Sequence, residues 1–389
     1  MKPLSKRLDA IEESPLTGLD SDVKRRIEAG EDIMRLNVGE PDFESTKEVK
    51  IGIERMSVEK GLNFYTKVSG SKEVRFALSV YHENMFGVHC DSKKFVFANG
   101  AKEAVAFSIG AIAGPGDDVL LIAPYWSTYK ELVKFFGAKP VVVNTKKDCH
   151  LNMKQILLAI TPRTKAIIIN SPNNPSGAVY SKKELTQLVN IAIKNDLYII
   201  SDEIYNTILF EENYTSIASI EGASERAVII NGFSKSASAT GFRLGYAVSE
   251  NMDIINGILK IKSNFSGNTN SFFQEVVCDV IINQFDGFKL SIENMKKEFV
   301  KRGTYLWQEL HDMGFQGSAP QGAFYVWCKI PDKIKMNSLE FSKYMLDNGV
   351  AITPGVYFGD SYDRYVRISF ASSMENLKEA VIRIKKAIK

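Results

Sequence analysis

The sequence predicts an α/β protein: a large domain with a mostly parallel seven-stranded sheet between helices, and a smaller α+β domain. Three observations predict it. Short β-branched runs alternate with helical patterns through the middle of the chain, the mark of βα units. Several of those runs are apolar without alternation, as strands covered on both faces are. After about Asn251 the rhythm changes to long helical stretches, which sets a second unit apart.

Strands are expected at 95–98, 119–122, 141–143, 166–170, 198–201, 228–231 and 244–248. Helical patterns fill the spaces at 102–113, 128–136 and 182–194. The gap between Asn231 and Leu244 is too short for a crossover helix, so the last strand is expected antiparallel, at a sheet edge. A long helix is expected over 287–313, then an α+β tail ending in a helix at 375–388. The chain contains no repeat, low-complexity tract or Pro/Ser-rich linker. The expected division is an arm with part of the small domain at 1–45, the large domain at 46–285 and the small domain at 286–389.

Composition agrees with a soluble fold. The 389 residues are 44% apolar, 11% aromatic and 24% charged, which excludes a disordered, collagen-like or disulfide-scaffold chain. Lys plus Arg number 49 against 46 Asp plus Glu, a net charge of +3. So small an excess argues against a nucleic-acid binder and offers no polybasic membrane patch. The four cysteines, Cys90, Cys149, Cys278 and Cys328, have no Cys-x-x-Cys spacing, so neither a disulfide framework nor a zinc site is expected. Residues 1–18 are polar with no apolar signal region, and no apolar run reaches the roughly 20 residues of a membrane span. A cytoplasmic location is expected.

In an open α/β sheet, ligands bind beyond the carboxyl ends of the strands. After 95–98 comes Asn99-Gly100-Ala101-Lys102-Glu103, small residues opening a helix. Read alone it is a tight turn; read functionally its free N–H groups suit a phosphate. After 119–122 comes Pro124-Tyr125-Trp126, where an aromatic is either core or a platform for a planar ring. After 166–170 comes Ser171-Pro172-Asn173-Asn174-Pro175-Ser176-Gly177, a rigid turn that also holds an amide at the strand end. After 198–201 comes Asp202-Glu203-Ile204-Tyr205; an acid there is a helix cap or a buried group in need of a cation. After 228–231 comes Gly232-Phe233-Ser234-Lys235, with Arg243 eight positions beyond the lysine. A lysine among small residues behind a buried strand is unusual. Desolvated, its amine has a lowered pKa and can act as a nucleophile.

Taken together these segments resemble the pyridoxal-phosphate-dependent aminotransferases of class I/II, fold type I. The resemblance runs through LNVGEPDF (36–43), FYTKVSG (64–70), NGAKEA (99–104), PYWSTY (124–129), SPNNPSG (171–177), SDEIY (201–205) and GFSKSASATGFRLGY (232–246). It continues through PQGAFYVW (320–327), PGVYFG (354–359) and YVRISFA (365–371). It implies pyridoxal 5'-phosphate as cofactor, carried by Lys235, which also shuttles the proton. It implies that Asp202 pairs with the pyridine nitrogen, that Asn174 and Tyr205 donate to the phenolic oxygen, and that Trp126 stacks on the ring. The phosphate falls to Ala101, Lys102, Ser234 and Arg243, with Tyr65 from a second subunit of a homodimer with shared active sites. Arg367 and the backbone of Gly39 meet the substrate α-carboxylate, for which a bidentate fork is suited. Ser176 stands where the family usually has Thr, and Phe242 where it has Trp; both keep the local character.

The reaction implied is transamination of aspartate or aromatic type between an L-amino acid and a 2-oxo acid, with 2-oxoglutarate as acceptor. Lys102 is a candidate partner for a distal carboxylate, though a helix-surface role is the commoner fate of a lysine. Residues 14–17 are expected near the side-chain pocket, and Met34 and Phe358 are candidates to line an aromatic-accepting one. A specialised biosynthetic aminotransferase, or a C–S β-lyase or oxidase on the same fold, shares every cofactor residue. A ligand-sensing regulator would need an appended DNA-binding region, for which no length is expected to be spare.

Overall fold

Apolar runs without alternation require cover on both faces, and the chain supplies it. The computed structural model describes residues 4–5, 7–59, 61–211 and 214–389. Residues 1–3 and 6, part of the polar start and of the expected arm, lie outside the described residues.

Seven strands build the main sheet: β1 (Phe95–Ala98), β2 (Asp118–Ala123), β3 (Lys139–Asn144), β4 (Thr164–Asn170), β5 (Tyr198–Asp202), β6 (Ala227–Gly232) and β7 (Gly245–Val248). Their spatial order is β1-β7-β6-β5-β4-β2-β3. Side chains of one strand alternate between two cores, as the period of 2 demands. Leu120, Ile122, Ile167 and Ile169 enter one cluster, while Val119, Leu121, Ala166 and Ile168 enter the cluster on the opposite face. Only β3, with Lys139, Val142 and Asn144 exposed, reads as a solvent-facing edge.

The strand after Leu244 is antiparallel to its neighbours but does not lie at an edge, which corrects the sequence-based expectation. β7 sits between β6 and β1, with Ile229 and Phe95 both paired to Val248. The short connection forces β7 antiparallel beside β6, and its free edge then takes up β1, the earlier strand. Gly245 permits that placement. A Cβ there would lie 2.4 Å from the Ala101 nitrogen and 2.4 Å from the Gly100 carbonyl carbon.

The second unit is a four-stranded antiparallel sheet ordered Thr353–Pro354, Tyr365–Ser369, Tyr325–Lys329 and Gln316–Gly317. Helices Ser338–Asp347 and Met374–Ala387 pack on it around Phe324, Val326, Phe341 and Ile368. The N-terminal segment joins this unit, Met34–Arg35 pairing in parallel with Val350–Ala351. One helix of 28 residues, Phe285–Asp312, serves both cores. Its Phe288 and Ile292 enter the large one, and its Met295, Phe299, Leu306 and Leu310 the small one. Among the described residues no helix is long and apolar enough to cross a membrane, and no group of three His, Cys, Asp or Glu is placed to hold a metal. All four cysteines are free.

Candidate active site

A cavity of about 480 Å³ opens at the carboxyl ends of the sheet strands, where the two units and the N-terminal segment meet. Asn170 ends β4, Asp202 ends β5, and Ser234 and Lys235 follow β6 in a single helical turn, Phe233–Ser236. Ala101, Lys102, Trp126, Asn174, Tyr205, Arg243, Gly39 and Arg367 complete the part of the wall that the sequence singled out.

Lys235 lies at the centre. Its Nζ donates to the Gly39 carbonyl oxygen at 2.6 Å and makes no salt bridge among the described residues. Burial lowers the ammonium to about 8; Glu40 and Asp202 oppose the shift, while Arg243 and Arg367 reinforce it. Asp202 is 3% exposed. Burial pushes its carboxyl up to about 6, against the Tyr129 hydroxyl at 2.6 Å and the Ile204 N–H at 3.2 Å, which stabilise the anion.

Two arginines that have no acidic partner among the described residues mark the ends. Arg367, on strand Tyr365–Ser369, is 3% exposed. It donates to Asn174 Oδ1 at 3.0 Å, the Asn37 carbonyl at 2.7 Å and Thr353 Oγ1 at 3.3 Å. It lies over the rings of Tyr325 and Phe358, and its Nε has no partner among the described residues. A buried guanidinium in that state calls for an anion. Arg243 donates to the Thr240 carbonyl at 2.8 Å and the Asn99 carbonyl at 3.4 Å, beside the start of helix Ala101–Ile112. Gly100 caps that helix at φ +89°, and a Cβ on it would lie 2.4 Å from Arg243 Nη2. Open N–H groups, a guanidinium and Ser234 converge there, the chemistry of a phosphate cradle. An anion cradle, a buried acid, a depressed amine and an anion-seeking arginine around one cavity fit a phosphorylated pyridine aldehyde and an amino acid.

Several contributors are brought to the site only by the fold. Tyr129 lies inside the PYWSTY segment, but only the fold aims its hydroxyl at Asp202. Asn170 donates to the Asp202 carbonyl at 2.8 Å and accepts the Asn174 N–H at 2.7 Å. The Tyr325 hydroxyl meets that of Tyr205 at 3.0 Å. Of the expected pocket residues, Leu16 and Thr17 line the cavity. Ser14 and Pro15 line a neighbouring cavity of about 420 Å³, which Lys102 also borders.

Met34 and Phe358 do not line the active-site cavity. Met34 packs against the core of the second unit, and Phe358 is fully buried against Trp327 behind Arg367. Tyr65 is not brought to the site of its own chain; it stands 95% exposed.

Sheet order, central lysine and the flanking small domain define a fold type I transferase. The chain belongs to the class I and II aminotransferase family, whose model matches residues 31–384, and it is an aminotransferase. It is 33% identical to the aspartate aminotransferase of Pyrococcus abyssi over 392 residues, 99% of this chain and 98% of that one. It is 32% identical to aromatic-amino-acid aminotransferase 2 of Thermococcus litoralis over 392 residues, again 99% and 98% of the two chains. The solved aspartate aminotransferase of Thermus thermophilus with maleate superposes with a TM-score of 0.94 at 31% identity, covering 100% of both chains.

Proposed function

We propose that the chain uses pyridoxal 5'-phosphate to exchange the amino group of an L-amino acid of aspartate or aromatic type with a 2-oxo acid, 2-oxoglutarate serving as acceptor. The observation that carries the reading is Lys235, an amine lowered to about 8 in one cavity with a buried acid and an arginine that has no acidic partner among the described residues.

When bound, the cofactor supplies an electron sink for the negative charge that forms at Cα as its proton leaves. Lys235 would hold it through Nζ, and the Lys235 amine is the group placed to accept the proton that leaves Cα. An amine near 8 is in part unprotonated at neutral pH, as a proton acceptor must be. Asp202, with Tyr129 and Ile204 stabilising its charge, pairs with the pyridine nitrogen. Asn174 and Tyr205 donate to the phenolic oxygen, and Trp126 covers the ring. Ala101, Lys102, Ser234 and Arg243 hold the phosphate, joined by Tyr65 of a second copy in a homodimer. Arg367 and the Gly39 backbone hold the α-carboxylate. Lys102 makes no salt bridge among the described residues and borders the place for a side chain, which suits a distal carboxylate. In this reading the arm is 1–45, the cofactor-binding domain 46–285 and the small domain 286–389. The enzyme works in the cytoplasm without nucleic-acid or membrane partners.

The test is to mix purified holoenzyme with single amino acids and follow the visible absorption. Aspartate or an aromatic amino acid converts the cofactor to its amine form, and Lys235→Ala abolishes both this change and transamination. No spectral change with any standard amino acid, or activity persisting in Lys235→Ala, overturns the reading. Ammonia release without any 2-oxo acid marks a β-lyase or oxidase instead.

A further inference from the structure

Helix Ala101–Ile112 begins without a side-chain cap, because Gly100 stands at the capping position. Its opening turn is held by a relay of charged groups that do not line the cavity. Glu103 Oε2 accepts the Asn99 N–H at 2.8 Å, and Oε1 accepts the Asn99 side-chain amide at 3.0 Å. Lys262, on helix Met252–Phe265, donates to the same Glu103 Oε2 at 3.3 Å and to Ser266 Oγ at 3.3 Å. From the other side Arg243 reaches the Asn99 carbonyl. The Asn99–Gly100 turn is therefore gripped at both its donor and its acceptor.

Lys262 has no exposed surface, and Glu103 is its only salt-bridge partner among the described residues. Burying an ammonium is unfavourable unless it is paired, and an apolar residue of similar size commonly serves packing as well or better. Its place is better explained by electrostatics. Burial raises the Glu103 carboxyl, yet the Asn99 hydrogen bonds and the Lys262 charge hold it below the usual carboxylate range, so it is ionised. A carboxylate in the first helical turn fixes the turn but repels an anion bound at the free N–H groups. Lys262 cancels the repulsion and leaves the clamp in place.

We infer that Lys262 is a positioning residue for the cofactor phosphate: through Glu103 it sets the Asn99–Gly100 turn and neutralises the carboxylate beside it, so that the Ala101 and Lys102 N–H groups can donate to a phosphate dianion. This rests on reading that helix start as the phosphate cradle.

The experiment compares dissociation constants for pyridoxal phosphate and for phosphate-free pyridoxal. It uses the wild type, Lys262→Met, Glu103→Gln and the double variant Lys262→Met/Glu103→Gln. The wild type prefers the phosphorylated form. In Lys262→Met that preference falls about tenfold, the scale of a partly screened repulsion across one helical turn, while pyridoxal binding changes little. The double variant, which leaves no unpaired buried charge, returns to within about threefold of the wild type. Should Lys262→Met fail to fold, Glu103→Gln decides: it keeps at least the wild-type preference. An unchanged preference in Lys262→Met, an equal loss for both ligands, a double variant no better than the single, or a lowered preference in Glu103→Gln overturns the inference. A wild type that does not distinguish the two ligands overturns the cradle reading itself.

Discussion

The Tyr129 hydroxyl donates to Asp202 Oδ2 at 2.6 Å, with both side chains buried in the wall behind the cavity. The tyrosine comes from helix Thr128–Phe135 and the acid from the end of β5. Their meeting sets the charge state of the site. Without that hydrogen bond, burial is opposed by the Ile204 N–H and the attraction of Lys235.

Tyr129→Phe therefore raises the Asp202 carboxyl above about 6 and weakens its ionised form by about 1–3 kcal/mol. Asp202 is ionised above its pKa, so cofactor retention falls as pH drops through that value, and the variant loses cofactor at a higher pH than the wild type. Titrating the visible absorbance against pH measures this. Superimposable curves would show that Tyr129 does not govern Asp202.

Arg367→Lys keeps the charge but removes the fork that reaches Asn174, Asn37 and Thr353 together. KM for the amino acid rises about 100-fold, as expected when a buried charge-assisted pair is disrupted. Cofactor absorbance stays intact. Steady-state kinetics at saturating cofactor provide the check, and an unchanged KM would remove Arg367 from carboxylate binding.

Outside the lining of the active-site cavity, Glu184 closes a capping box with Ser181 and meets His150 Nδ1 at 3.0 Å. Burial raises its carboxyl, but His150 and the Ser181 hydrogen bonds bring it down to about 2 from 4.5. A depressed carboxyl stabilises the fold above its unfolded pKa, so this contribution is lost as pH falls from about 4.5 to about 2. His150, raised by the same pair, contributes in full below its unfolded 6.5 and loses its share as pH rises through its folded value. Glu184→Gln lowers stability near pH 6 by about 2 kcal/mol. The deficit closes toward pH 2, and denaturant melts across that range test it. A deficit that is constant with pH would assign the effect to packing.

Tyr65 stands 95% exposed on its own chain. If each site borrows it from the partner, mixing Lys235→Ala with Tyr65→Ala subunits creates hybrids with one intact site. Activity of the refolded mixture then exceeds the sum of the two parents. Strict additivity would place Tyr65 outside the site.

Much of the site was readable because it is built on local chemistry. Asn174, Asp202 and Lys235 each lie at or just past the end of an apolar strand, and turn residues such as Pro172 and Gly177 announce where the strand stops. Tyr129, Tyr325 and Lys262 are opaque, since an aromatic on a helix or strand, or a lysine on a helix, looks the same in sequence whether it packs, faces water or touches a buried group. Met34 and Phe358 misled for a related reason. Proximity to a motif in the chain does not say which side of a backbone a side chain leaves from.

By itself the sequence determined the α/β class, the approximate positions of the seven main-sheet strands and of some helices, and the family, because periodicity, turns and motif spacing are properties of neighbouring residues. Only the tertiary structure decided that β7 is interior, that Arg367 is buried with no acidic partner among the described residues, and that Asp202 and Lys235 are shifted toward each other's range. Burial and pairing arise from distant segments closing around one cavity, and desolvation acts on a charge only once that closure excludes water.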